Sequence, residues 1–164
     1  MNRRILPSYN ILLLLILLAI LQVACTRVNL FEKTVAIPKH QWQSSFKPSF
    51  NFIITDTTHP YQVYFTIRHE DKYGYNNIYI NLLTRQPGQD SFQIARYDLA
   101  LGTNDKGWLG TGMDDIFDHR IALTPTSQAF YFHKKGEYTF MVEQLMREDP
   151  LLHVLNVGLM LEKK

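Results

Sequence analysis

Between Phe50 and Leu161 the chain alternates apolar and polar positions with a period of two. Phe50, Phe52 and Ile54 alternate with Asn51 and Thr55, and Tyr61, Val63, Phe65 and Ile67 with Gln62, Thr66 and Arg68. Tyr138, Phe140, Val142 and Gln144 alternate with Thr139 and Glu143, and Val157, Leu159 and Leu161 repeat the pattern near the end. Alternation in aromatic and β-branched residues marks strands with one buried face. Turn-forming clusters separate the runs: Thr57-Thr58-His59-Pro60, Gln86-Pro87-Gly88-Gln89-Asp90, Thr103-Asn104-Asp105-Lys106-Gly107 and Lys134-Lys135-Gly136. The pattern predicts strands near 30–37, 49–55, 61–69, 77–84, 91–100, 116–123, 128–133, 137–147 and 154–162. Helical signal is confined to short turns at Gln41–Phe46 and Met146–Leu152, limited by Pro48 and Pro150. About eight or nine short strands with frequent turns predict an all-β fold, an antiparallel β-sandwich. No repeat or second domain is visible.

The N-terminus breaks this pattern. Ile11–Leu21 is almost entirely Ile and Leu, and Arg3 and Arg4 precede it. A basic start, a short apolar core and a small-residue cleavage site describe a secretory signal. Leu21-Gln22-Val23-Ala24-Cys25 resembles a bacterial lipobox, in which the cysteine is lipidated and becomes the mature N-terminus. An uncleaved membrane anchor is the alternative, but the run is shorter than the roughly 20 residues of a spanning helix and leaves the cysteine unexplained. The expected organisation is a lipoprotein signal peptide at 1–24, a lipidated tether at 25–29 and a β-sandwich domain at 30–164.

Removing 24 of the 164 residues leaves 140, a single-domain length. The 17 Lys and Arg against 15 Asp and Glu become balanced once Arg3 and Arg4 are gone. A neutral domain offers no electrostatic argument for nucleic acid. Cys25 is the single cysteine, so the domain carries no disulfide and no thiol nucleophile.

The residues give little chemistry to build on. His40, His59, His69, His119, His133 and His153 lack metal-ligand spacing, which favours surface or strand-face histidines over a metal site. Asp114, Asp115 and Asp118 follow Gly110-Thr111-Gly112 without the spacing of a calcium loop, and read as a solvated, turn-capping segment. No GxSxG motif supports serine catalysis. Gly107-Trp108-Leu109-Gly110-Thr111-Gly112 is no phosphate loop; its glycines allow a tight loop that lays Trp108 on the sandwich. No catalytic residue, metal site or cofactor is therefore expected. The densest polar-aromatic patch is Arg68, His69, Tyr73, Tyr75 and Asn77. With Trp108, Gln144 and Arg147 it forms the candidate interface, since Tyr, Trp and Arg are common anchors. Arg147 has Glu148 and Asp149 beside it as possible ion-pair partners.

In order, the chain presents Trp42, Phe50-Asn51-Phe52, Tyr61 with Ile67-Arg68-His69, and Tyr73-Gly74-Tyr75-Asn76-Asn77. Gly107–Gly112, Gly136-Glu137-Tyr138, Gln144–Arg147 and Val157-Gly158-Leu159 follow. After a lipoprotein signal, this set resembles the gliding-motility lipoprotein GldH family of the Bacteroidota, over nearly all of the mature chain. The resemblance implies a non-enzymatic lipoprotein on the outer membrane facing the periplasm. It also implies envelope partners in gliding and in the type IX secretion machinery, and no cofactor. Two alternatives come from the residues. One is a carbohydrate- or peptidoglycan-binding module that stacks sugars on Trp42, Trp108, Tyr73 and Tyr75. The other is a hydrolase built from scattered acids and histidines, which no motif supports.

Overall fold

The computed structural model describes residues 29–164. The expected signal peptide, the lipidation expected at Cys25 and the expected tether up to Val28 lie outside them. The strands run β1 (Asn29–Ala36), β2 (Gln41–Trp42), β3 (Ser49–Ile54), β4 (Tyr61–Glu70) and β5 (Asn77–Arg85). They continue with β6 (Gln93–Ala100), β7 (Gly102–Thr103), β8 (Gly107–Trp108), β9 (Thr111–Met113) and β10 (Ile116–Ala122). The last are β11 (Gly136–Gln144), β12 (Leu151–Leu152) and β13 (Val154–Lys163). A five-stranded sheet, β1-β13-β4-β10-β9, packs on a four-stranded sheet, β3-β11-β5-β6, and β2 with β12 and β7 with β8 form two small pairs. All pairings are antiparallel. The fold is an all-β sandwich, as the alternation predicted.

Eight of the predicted strands form. The ninth, 128–133, does not: Phe130 makes a single bridge to Tyr61, and Phe130 and Phe132 turn inward instead. Of the two expected short turns, the first forms at Gln43–Phe46, where Phe46 N–H donates to the Gln43 carbonyl at 2.9 Å, and the second, at Met146–Leu152, does not. The flanks of both pair as short strands, Leu151 with Trp42 and Leu152 with Gln41, and a separate 3-10 turn lies at Pro38–His40. No helix of the described residues is long and apolar enough to cross a membrane.

The inward-facing set is the one the period of two selects. Trp42, Phe50, Ile54, Phe65, Leu159 and Leu161 are fully buried. Truncating such side chains to alanine costs about 2–5 kcal/mol each. One end of the sandwich is closed by rings. Phe52 lies 5.3 Å from Phe31 and 5.9 Å from Tyr138, and Phe132 contacts Tyr61 at 5.2 Å and Tyr138 at 4.8 Å. The start of β1 and the end of β13 meet at this end, through the pair Asn29–Glu162. Lys163 Nζ also reaches Asp56 Oδ2 there, at 2.6 Å. Asp56 receives Thr58 and His59 as well; these bonds, that of Lys163 foremost, hold its carboxyl well below the usual carboxylate range. The opposite end carries the 71–76, 101–115 and 145–153 connections.

Gly158 sits mid-strand between β1 and β4, where a Cβ would fall under 3.0 Å from Thr66 Oγ1 and from the Lys33 carbonyl. Gly158→Ala is expected to destabilise the domain by about 1–3 kcal/mol, the range for overpacking. Thr66→Ala in the same chain should return part of the loss, read by urea unfolding.

Candidate functional site

The end of the sandwich far from Asn29 brings most of the predicted interface residues together. On β4 the inward parity is Val63, Phe65, Ile67, His69; on β10 it is Phe117, His119, Ile121. Both histidines are therefore drawn into the core, His69 at 0% and His119 at 5% exposure. This corrects the expectation of surface or strand-face histidines for these two.

Their rings stack at 4.9 Å, with Nε2 to Nε2 2.9 Å. His69 Nδ1 lies 2.8 Å from the Glu70 carbonyl, which can only accept. Nδ1 of His69 therefore carries the proton, its Nε2 accepts, and His119 donates through Nε2–H. The arrangement holds both rings neutral. Burial pushes both below the ordinary histidine value, His119 to about 4, and repulsion between the two rings, were both protonated, presses the same way on His119.

Trp108, on β8, covers the pair edge-on at 4.4 Å from His69, and its Nε1–H donates to Asp71 Oδ1 at 2.7 Å. Phe117 and Tyr73 complete the ring shell at 5.8 and 5.0 Å. The glycines of the 107–112 loop are explained by this packing. A Cβ on Gly110 would fall under 3.0 Å from the Asp118 carbonyl and the His119 ring, and one on Gly112 likewise from the Phe117 ring. Gly107 turns the chain at φ +68.

Around the buried pair lies a polar shell. Arg68 makes a two-pronged ion pair with Asp118 across β4–β10, both contacts 2.7 Å. The pair is exposed, so it adds little stability. Glu70 joins three segments: Oε1 lies 3.0 Å from His40 Nδ1 and Oε2 2.7 Å from His153 Nδ1. These bonds, that of His153 first, hold the Glu70 carboxyl below its ordinary value. Lys39, His40, Asp114, Asp115 and His153, the described non-glycine residues with positive φ, all belong to this end. Such backbone outliers cluster where a structure is shaped for function.

The predicted interface residues thus divide. Arg68 and Arg147 are exposed, and Tyr75, Asn77 and Trp108 are half-buried. His69, Tyr73 and Gln144 are buried, so they shape the site without reaching a partner. Tyr73 donates to the Asn77 carbonyl at 3.0 Å, and burial pushes its phenol up. Gln144 sits at the end of β11, accepting from Met146 N at 2.7 Å and donating to the Trp42 carbonyl at 3.3 Å. Arg147 forms no ion pair with Glu148 or Asp149 among the described residues; Asp149 instead binds Ser44. Trp42 and Tyr73 are buried, so of the four aromatics named for sugar stacking only the half-buried Tyr75 and Trp108 reach the surface. His119, Glu70, His40, His153 and Asp71 were not foreseen as site residues. Strand parity was a usable signal for His119; nothing local links Glu70 to His40 or His153. Among the described residues no group of three or more His, Cys, Asp or Glu side chains is placed to hold a metal ion.

Residues 29–161, nearly the whole described domain, match the GldH lipoprotein family. The chain belongs to that family. It is 22% identical over 148 residues to the "Gliding motility lipoprotein GldH homolog" of Christiangramia forsetii, covering 85% of this chain and 87% of that protein. It is 23% identical over 159 residues to the "Gliding motility lipoprotein GldH" of Flavobacterium johnsoniae, covering 92% and 95%. No solved structure matches the chain. As a GldH-family member it is a lipoprotein, a membrane-anchored protein of the cell envelope.

The buried pair gives this GldH-family domain an acid sensitivity with a defined sign. Unfolded histidines take up protons below pH 6.5, while His119 in the fold resists to about pH 4. Stability is thus full above about 6.5 and falls as pH drops through that window. The facing carboxylates of Asp71 and Asp118 oppose the shift without cancelling it. The bonded carboxylates Glu70 and Glu143 add their own loss only below their unfolded value of 4.5. Melting temperature should therefore fall between pH 6.5 and 5, and His119→Gln should flatten that slope.

Proposed function

We propose that this chain is a non-catalytic accessory and scaffold component of the gliding-motility machinery, linked to type IX secretion. It is held through lipidated Cys25, on the outer membrane facing the periplasm. The observation that carries the reading is the family match across the whole β-domain. The shape of the domain supports it. The tether joins the ring-filled end at Asn29, whereas the rigid polar site built on His69, Glu70 and Trp108 lies at the other end of β4. Along the ten residues of β4 that separation is about 30 Å. The exposed Arg68, Asp118 and Arg147, with the half-buried Tyr75, Asn77 and Trp108, offer that end to other envelope proteins. Ring contacts and hydrogen bonds hold Arg68, Asp118, Tyr75, Asn77 and Trp108 in place, which lowers the ordering cost of binding.

Deleting the gene in a cell that both glides and uses type IX secretion tests the reading. Loss of spreading and of secreted adhesin is the expected result, restored by the full chain but not by Cys25→Ala. Normal gliding and secretion in the deletion strain would overturn it. Labelled fatty acid should be incorporated into the chain and lost in Cys25→Ala.

A further inference from the structure

Sheet edges are hazards that folds usually blunt with proline, bulges, inward charges or covering loops. Of the four edges, β1 and β9 are blunted. β1 carries a register shift near its start and sends Lys33 Nζ to the Ser49 carbonyl of β3, which spans the gap between the sheets. β9 is three residues long, whereas β3 follows Pro48, gives its Ser49 carbonyl to Lys33 and is six residues long, shorter than β6. β6 is the long, unbroken one: its charges, Arg96 and Asp98, lie on the outer face, where Asp98 accepts from Asn77 Nδ2 at 2.7 Å and Arg96 lies over the Tyr79 ring at 5.3 Å. It pairs with β5 in unbroken register from Asn77–Ala100 to Thr84–Gln93, and it contains no proline. Its inward residues Gln93, Ala95, Tyr97 and Leu99 are uncharged, and most of the strand is exposed. Beneath it a cavity of about 230 Å³, lined by Val63, Tyr97, Leu123 and Phe130 among others, opens to solvent beside Ala95.

We propose that two copies of this chain join through β6, strand against antiparallel strand, about a two-fold axis at Tyr97, fusing two four-stranded sheets into one of eight strands. The sequence of the edge selects this occupant. About Tyr97, Arg96 falls opposite Asp98 of the second copy and Asp98 opposite its Arg96, while Ile94 meets Ala100. A two-fold interface must be self-complementary in this way, and opposite charges across strands stabilise where like charges oppose. Ile94, 63% exposed in the single chain, extends an apolar row Met141–Leu83–Ile94 across the seam. On the inner face Ala95 meets Leu99, so apolar side chains flank the cavity mouth. The axis stands normal to the sheets. Two tethers, each spanning at most about 14 Å from Cys25 to Asn29, then reach one membrane when the sheets lie along it.

A cysteine scan of β6 in membranes tests this, using the full chain, whose own single cysteine serves as the control. Under mild oxidant Tyr97→Cys should give a disulfide-linked dimer, since it faces its own copy at strand-pair distance. Gln93→Cys, whose copies are held far apart, should give none. In the Tyr97→Cys background, Arg96→Asp or Asp98→Arg should lower the dimer yield by about tenfold, as like charges come to face each other. The double variant carrying both changes is again self-complementary and should restore it. Three results would overturn the proposal: Tyr97→Cys remaining monomeric, linking to a different protein, or giving a yield indifferent to the charge changes. Protease resistance of each variant separates loss of pairing from loss of fold.

Discussion

The pairing of β4 with β13 is the constraint from which the domain hangs. Both are ten residues long, and they run in register from Tyr61–Lys163 to Val154–His69 with one irregularity. Every other strand of the five-stranded sheet attaches to one of them directly or through β10. The two ends of β4 therefore dictate the two ends of the molecule. Tyr61 bonds the Asp56 carbonyl and bridges to Phe130, so it seats the aromatic plug. His69 and Glu70, at the other limit of the strand, seat the polar site. Glycine at 158 is the condition for β13 lying closely between β1 and β4.

At the site, packing decides the electrostatics. Alternation along β4 demands an inward residue at 69, and the cross-strand register puts His119 within reach of it. With no charge buried beside them, two neutral rings sharing one proton satisfy each other, which is the cheapest state for buried imidazoles. The glycine loop then closes over them, and the half-buried Trp108 packs its ring on His69 while its indole N–H donates to Asp71. The polar shell of Arg68, Asp118, Glu70 and the outer histidines is built on that closed surface.

The sequence carried the long strands because each has one buried face and one wet face. It misled at 128–133, where Phe130 and Phe132 alternate just as strand residues do; a backbone partner decides the matter, and none is local. The two-residue strands β2 and β12 are too short to show any period. The 107–112 loop was legible in outline, as glycines that lay Trp108 down, but its target was not. His69 and His119 lie 50 residues apart, and only their parity hints that they face inward. Burial of Tyr73 and Gln144 was hidden because Tyr and Gln occur readily on either face. The bonds from Glu70 to His40 and His153 cross 30 and 83 residues, a link no local pattern carries.

The proposed attachment of the chain ahead of β1 has a mechanical consequence. β1 is an edge strand, hydrogen-bonded along its length to β13 from Phe31–Leu161 to Ala36–Asn156. A pull between the N-terminal tether and the distant polar end acts parallel to the strands. Such a force shears all of those bonds together instead of peeling them one at a time. In the proposed role, with the chain tethered at one end and its partners bound at the other, that direction of loading is the one in which a β-domain yields last.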